Sequence, residues 1–198
     1  MFKIINQKNF TNLVLIIFIF LIDRISKILI VSYIKESGNA EIALTTFLNL
    51  NLIWNEGIAF GLLSFEDALS YNLVTIIISI VIIILLIMLN KAEKLSRFAI
   101  LLVIGGALGN FFDRIYYSAV PDFIDFHINN IHWFIFNVAD IFISFGVICL
   151  ILIEYNQSKK KKMKQIKLIF IFCVLLVTLS GCQSAKRALT GQSMENKA

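Results

Sequence analysis

The sequence predicts an all-α integral membrane protein, with four transmembrane helices and a small extracytoplasmic lid that contains β structure. Three observations lead there. The chain is 59% hydrophobic and only 16% charged, with a mean hydropathy of +0.84, whereas soluble domains are about 25% charged. Four apolar runs are long enough to cross about 30 Å of hydrocarbon at about 1.5 Å per residue. One polar interval between them alternates with a period of two. The net charge of +5 does not indicate nucleic acid, because the basic residues cluster beside apolar runs, as membrane topology requires.

The first run covers roughly Asn12 to Ile34 and is interrupted by Asp23, Arg24 and Lys27. It has no small-residue cleavage site and does not read as a secretory signal peptide. Asp23 and Lys27, four apart, share a helix face and can pair. In the polar interval 35–71, Leu48, Leu50, Leu52 and Trp54 alternate with Asn49, Asn51 and Ile53, which predicts a strand with one apolar face. Asn55-Glu56-Gly57 reads as a turn, and Ala59 to Asp67 as an interfacial segment. The second span runs from about Tyr71 to Leu89, the third from Phe98 to Tyr117 and the fourth from Trp133 to Tyr155. Residues 118–132 read as an outer loop.

Orientation follows from Lys and Arg. Lys3 and Lys8, then Lys91, Lys94 and Arg97, then Lys159 to Lys162 alternate with polar intervals poor in basic residues. The positive-inside rule puts both ends of the four-helix unit (residues 1–158) in the cytoplasm and both intervals outside. Asp122 then falls in an outer loop. Asp140 falls about two turns into the fourth span, roughly 10 Å beyond Trp133.

Residues 105–140 hold the candidate chemistry. Ionised groups near a bilayer are costly and seldom persist without a use, yet this stretch carries Asp113, Arg114, Asp122, Asp125 and Asp140. Asp122 and Asp140 are the candidate catalytic pair. Two adjacent carboxylates share a proton, so one can activate water while the other polarises a carbonyl, which is peptide hydrolysis without a covalent intermediate. Ser118, Ser144 and Cys149 have no local His and Asp to activate them. Asn110, Asp113 and Arg114 share a face of the third helix, and Asn137 precedes Asp140 by three. Gly105 and Gly109 have the GxxxG spacing of close helix packing, with a substrate groove as the second reading.

Two alternatives compete. Asp122, Asp125, His127 and His132 have metal-ligand chemistry but match no HExxH or EF-hand spacing, and two histidines beside Trp133 read first as interfacial residues. The sequence therefore predicts no metal and no cofactor. A small proton-coupled transporter using Asp23 and Asp140 is the other, opposed by the absence of an evident inverted repeat or of Gly/Pro-broken helices.

Five ordered motifs, DRISK (23–27), NEGIAFG (55–61), GGALGNFFDR (105–114), VPDFIDF (120–126) and FNVAD (136–140), resemble those of the lipoprotein signal peptidase family, also called signal peptidase II. The resemblance covers about residues 10–155. It implies a monomeric aspartic peptidase of the bacterial inner membrane that acts on diacylglyceryl-modified prolipoproteins, cutting just before the lipid-bearing Cys. It implies that Asp122 and Asp140 are catalytic and that Asn110, Arg114 and Asn137 bind the substrate or its lipid. Asp23, Asn55, Gly106 and Asp113 would support the site, as would Lys27 through its pairing with Asp23.

The C-terminal extension, 159–198, reads differently. Met163, Lys164 and Lys167 precede a short apolar run and then Leu179-Ser180-Gly181-Cys182. A basic start, a short apolar core and small residues before a Cys describe a signal peptide. The last four residues match the lipobox, which makes Cys182 the candidate lipidation site and the Gly181–Cys182 bond the candidate cleavage site; a separate reading frame joined to this chain and a short fifth anchor helix are the competing readings. A short polar tail follows.

Overall fold

The computed structural model describes residues 7–38, 41–56, 68–128 and 131–158. The extension 159–198, with Gly181 and Cys182, and the interfacial segment 59–67 lie outside them. Four helices are present: α1 (Gln7–Ser37), α2 (Ala68–Lys91), α3 (Lys94–Tyr117) and α4 (Val138–Ser158). Among the described residues, Asn72–Lys91, Lys94–Tyr117 and Val138–Asn156 are long and apolar enough to cross a membrane. α1 is not one of these three; it carries Asp23, Arg24 and Lys27 within little more than one turn.

α3 lies at the centre. It packs against α1, α2 and α4, and its Ala99 to Ala107 stretch is buried throughout. Ile100, Val103 and Ile104 meet Leu85 of α2 and Ile143 and Val147 of α4 in the main apolar core. The outward faces are apolar as well: Ile25, Leu29, Ile76, Ile83, Ile148 and Leu152 are each more than half exposed. Around a core already closed, such a surface suits hydrocarbon rather than water.

The helix ends are closed locally. Gly38 takes φ +67° after α1, and its N–H donates to the Ile34 carbonyl at 3.0 Å, a left-handed cap that glycine accommodates without strain. The Arg97 guanidinium donates to the Ala92 carbonyl at 2.8 Å across the short α2–α3 link. α3 ends at Ser118, also left-handed at φ 54°, and the chain turns at once into a strand.

The lid is an antiparallel sheet in the order β1 (Glu41–Ala43), β2 (Leu48–Asn55), β3 (Val120–Ile128) and β4 (Ile131–Phe136). The expected strand at Leu48 is present. The interval read as an outer loop is instead β3 and the start of β4, so Asp122 stands on a strand. α4 begins only at Val138, which places Asp140 in its first turn rather than two turns deep. The physical reason is that Phe134 to Phe136, apolar enough to continue a helix by composition, pair with β3 as a strand.

Two register shifts set which side chains share a face. Leu50 pairs with Ile124 and Ile53 with Asp122, so β2 carries one residue more than β3 between those pairs. Such a bulge re-aims the side chains beyond it. Leu50, Ile53 and Asn55 consequently face the same way as Asp122, while Trp54 faces the other way. The expected single apolar face through Leu48, Leu50, Leu52 and Trp54 is broken at this point. A second shift lies between Phe126 and His127: they pair with Phe134 and His132, so His132 joins the face of Asp125 and His127.

Candidate active site

The site is assembled where α1, α3 and the start of α4 meet β2 and β3. Its foundation is Lys27, 2% exposed, whose ammonium donates to Asp23 Oδ2 at 2.8 Å, Asn110 Oδ1 at 2.9 Å and Asp113 Oδ2 at 2.7 Å. An ammonium has three donors, and all three are engaged. The Asp23–Lys27 pair expected from spacing is therefore present and extends to a second helix. Arg24, which sequence reasoning did not select, lies 2.5 Å from Asp113 Oδ1 and 5.2 Å over the ring of Phe112. The four-residue spacing of DRISK pointed to Lys27; nothing local to the sequence pointed Arg24 at Asp113.

The other carboxylate oxygen of Asp23 accepts the backbone N–H of Ala139 at 2.9 Å. That N–H is one of the unpaired donors at the start of α4. Asn137 caps the same helix: its Oδ1 accepts the Asp140 N–H at 3.2 Å, while Asp140 Oδ2 accepts the Asn137 N–H at 3.1 Å. This reciprocal arrangement is a capping box with Asp at the third helical position. It fixes the Asp140 side chain by the same bonds that start the helix.

The two aspartates are linked through Asn137. Its amide nitrogen donates to Asp122 Oδ1 at 2.6 Å, and Asn55 donates to Asp122 Oδ2 at 3.0 Å. Asn110 donates to Asp140 Oδ1 at 2.9 Å. A continuous path runs Lys27–Asn110–Asp140–Asn137–Asp122–Asn55. Asp122 is fully buried and Asp140 is 2% exposed. Burial first, and the negative charge of Asp140 second, raise the Asp122 pKa well above the usual carboxylate range, against the lowering effect of Asn55 and Asn137.

The remaining predicted residues divide. A Cβ on Gly106 would lie 2.6 Å from the Ala139 carbonyl oxygen, and one on Gly109 would lie 2.5 Å from Asp23 Oδ2. These glycines therefore let α3 approach α4 and α1 at the site. Gly105 meets Ile19 in the same way. Arg114 is buried in the last turn of α3, 1% exposed. Of the four residues considered for a metal, Asp125, His127 and His132 come together, with ligand atoms within 4.8 Å of one another. Asp122 is on the opposite face of β3.

Known proteins match this chain over most of its length. The family model described as signal peptidase (SPase) II matches residues 15–156. A lipoprotein signal peptidase of Pelagibacter ubique is 51% identical over 158 residues, covering 79% of this chain and 95% of that protein. One from Francisella tularensis subsp. novicida is 40% identical over 151 residues, covering 74% and 92%. A solved structure described as a bacterial membrane enzyme, determined by the in meso method at 2.3 Å, superposes with a TM-score of 0.63 at 31% identity, covering 78% of this chain and 93% of that one. With its helical bundle, its sheet lid and its linked aspartates, the chain belongs to the signal peptidase II family.

Proposed function

We infer that this chain is a membrane aspartic peptidase that removes signal peptides from diacylglyceryl-modified prolipoproteins, with Asp122 and Asp140 as its catalytic pair. The observation that carries the reading is Asn137, which holds both carboxylates from one side chain and one backbone N–H. Asp122, whose buried carboxyl favours the protonated form, donates a hydrogen bond to the scissile carbonyl. Asp140, supplied with donors by Asn110 and Asn137 at the positive end of α4, takes a proton from water. The hydroxide equivalent attacks the carbonyl carbon, and the proton passes to the leaving amine as the C–N bond breaks. Substrate carbonyls and the lipid headgroup are bound by Asn110, Arg114 and Asn137, while Asp23, Lys27, Asn55, Gly106 and Asp113 hold the site in place.

The family relationship favours peptidase over transporter. In this reading α1 is the fourth span, since Asp23, Arg24 and Lys27 face the protein interior, where intramembrane charges are tolerated when paired. Both ends of the bundle face the cytoplasm, the lid faces outward across the bacterial inner membrane, and the enzyme works as a monomer. The hollow of about 290 Å³ lined by Phe20, Leu108, Phe111, Phe112, Ile115 and Tyr116 suits an acyl chain of the substrate or of a membrane lipid. The C-terminal extension is a prolipoprotein-like signal segment, cut between Gly181 and Cys182 once Cys182 is lipidated. Mass spectrometry of the expressed chain tests that last point; an intact chain with lipidated Cys182 beside an active site would refute it.

The decisive test is a gel-shift assay on a lipidated prolipoprotein. Asp122→Asn and Asp140→Asn should each lower kcat by at least about 10²–10⁴-fold, the range of general acid–base catalysis, with KM nearly unchanged. Cleavage that survives both substitutions would end the aspartic reading.

A further inference from the structure

We propose that Asp125, His127 and His132 form a binding site for a divalent transition-metal ion of the zinc class, separate from the aspartate pair. The three residues share one face of the β3–β4 hairpin, and the register shift brings His132 onto it. Asp125 is fully buried, and its Oδ2 lies 2.6 Å from His132 Nδ1. Its Oδ1 is buried without a hydrogen-bond partner, as is Nδ1 of His127. A third buried atom of this kind, Oδ1 of Asn49, belongs to the residue paired with Asp125 across the sheet.

Buried polar atoms are nearly always satisfied, and each exception needs an explanation. Two of these three atoms are oxygens that can only accept, and the imidazole nitrogen also offers a lone pair. The two oxygens cannot satisfy each other and the imidazole nitrogen can donate to at most one of them, whereas a cation satisfies several at once. Two imidazoles and one carboxylate suit zinc, which takes nitrogen and oxygen ligands at about 2.0–2.2 Å. Magnesium and calcium prefer oxygen-only sets. Three protein ligands leave a fourth tetrahedral position for water.

Metal binding would draw the ligand atoms to roughly 3.4 Å apart, as tetrahedral bonds of about 2.1 Å require. The His132–Asp125 contact opens slightly, and any proton shared between them leaves to solvent. The ion then staples β3 to β4 on the face of β3 opposite Asp122. It takes no part in peptide hydrolysis.

The full chain, purified in detergent and stripped with a chelator, is titrated with Zn²⁺ and with Co²⁺ as a spectroscopic probe. One equivalent should bind, with visible Co²⁺ bands of low-symmetry coordination. His127→Gln, His132→Gln and Asp125→Asn should each weaken binding by at least about tenfold, since even outer-shell losses cost about 10–100-fold. Elution as a folded monodisperse species is required of each variant scored. Asp140→Asn should bind as the wild type does. Absence of stoichiometric binding, unchanged affinity in every folded variant of the three, or loss of the ion in Asp140→Asn would overturn the proposal.

Discussion

Asn137 contributes both to folding and to the candidate chemistry, and the two contributions can be separated. Asn137→Ala removes the cap of α4, worth about 1 kcal/mol, and releases Asp122 and Asp140 from their shared support. Asn137→Ser keeps a capping oxygen but cannot reach Asp122 in the same way. Thermal unfolding should show stability largely recovered in the serine variant while peptidase activity stays low; equal recovery of both would mean that Asn137 acts only as a cap. Lys27→Met leaves Asp23 and Asp113 buried with one cation fewer, and should destabilise by about 3–5 kcal/mol, the cost of breaking a buried pair from one side. Asp122 predicts a pH effect. Its folded pKa is raised, so the folded state binds the proton more tightly than the unfolded chain, whose value is about 3.9. That contribution is fully present below about pH 3.9 and is lost as pH rises through the raised folded value. Asp122→Asn cannot ionise and should lose less stability over that rise. Melting midpoints measured against pH would decide it, and parallel curves for the two proteins would contradict the assignment.

At the scale of elements, the contacts between helices depend on Gly105, Gly106 and Gly109 of α3 and Gly146 of α4, and what a methyl on each would displace differs. Gly106→Ala places its methyl against the backbone carbonyl of Ala139, so the start of α4 must shift and Asp140 shifts with it. Gly105→Ala meets Cβ of the buried Ile19, which side-chain rotation does not move, so α1 must shift instead. Each change should cost about 1–3 kcal/mol, as overpacking does, and the first should cost more of the activity, because it displaces the start of α4 that carries Asp140. Paired melting and gel-shift assays measure the contrast. The helices were legible because a long apolar run leaves few other options. The Asp23–Lys27 pair was legible because four residues make one helical turn. β3 and β4 were not: Val120 to Phe136 mixes apolar residues with Asp122, Asp125, His127 and His132, and only its strand partners, some distant in sequence, mark it as sheet rather than loop. The capping box was missed for the same reason, since its recognition depends on knowing that α4 starts at Val138.

For the molecule as a whole, the charge pattern predicts which parts face which compartment. In a cysteine-free background, Leu44→Cys in the lid should react with a membrane-impermeant maleimide in intact cells. Glu93→Cys, in the short α2–α3 link, should react only after permeabilisation. Both positions are exposed, so the reverse pattern would invert the orientation. The sequence reading placed the Asp122–Asp140 pair near the outer surface, and that expectation relied on an incorrect depth for Asp140. The structure brings both aspartates to Asn137 by another route, a strand on one side and a helix start on the other. What the sequence carried was the set of residues that converge. What it did not carry was the sheet that makes them converge.

The bulge in β2 is also slack. Because it holds one spare residue between Leu50 and Ile53, removal of Leu52 would pull the strand into a regular ladder and leave Asn55 diagonal to Asp122. Removal of Trp54, two positions on, leaves the same count between Leu50 and Asn55 but puts Ile53 where Trp54 stood, and so loses the packing of Trp54 on Tyr117. The lid therefore tolerates either shortening at Asn55, and deletion variants should both keep cleavage while the one lacking Trp54 melts lower for its lost ring contact.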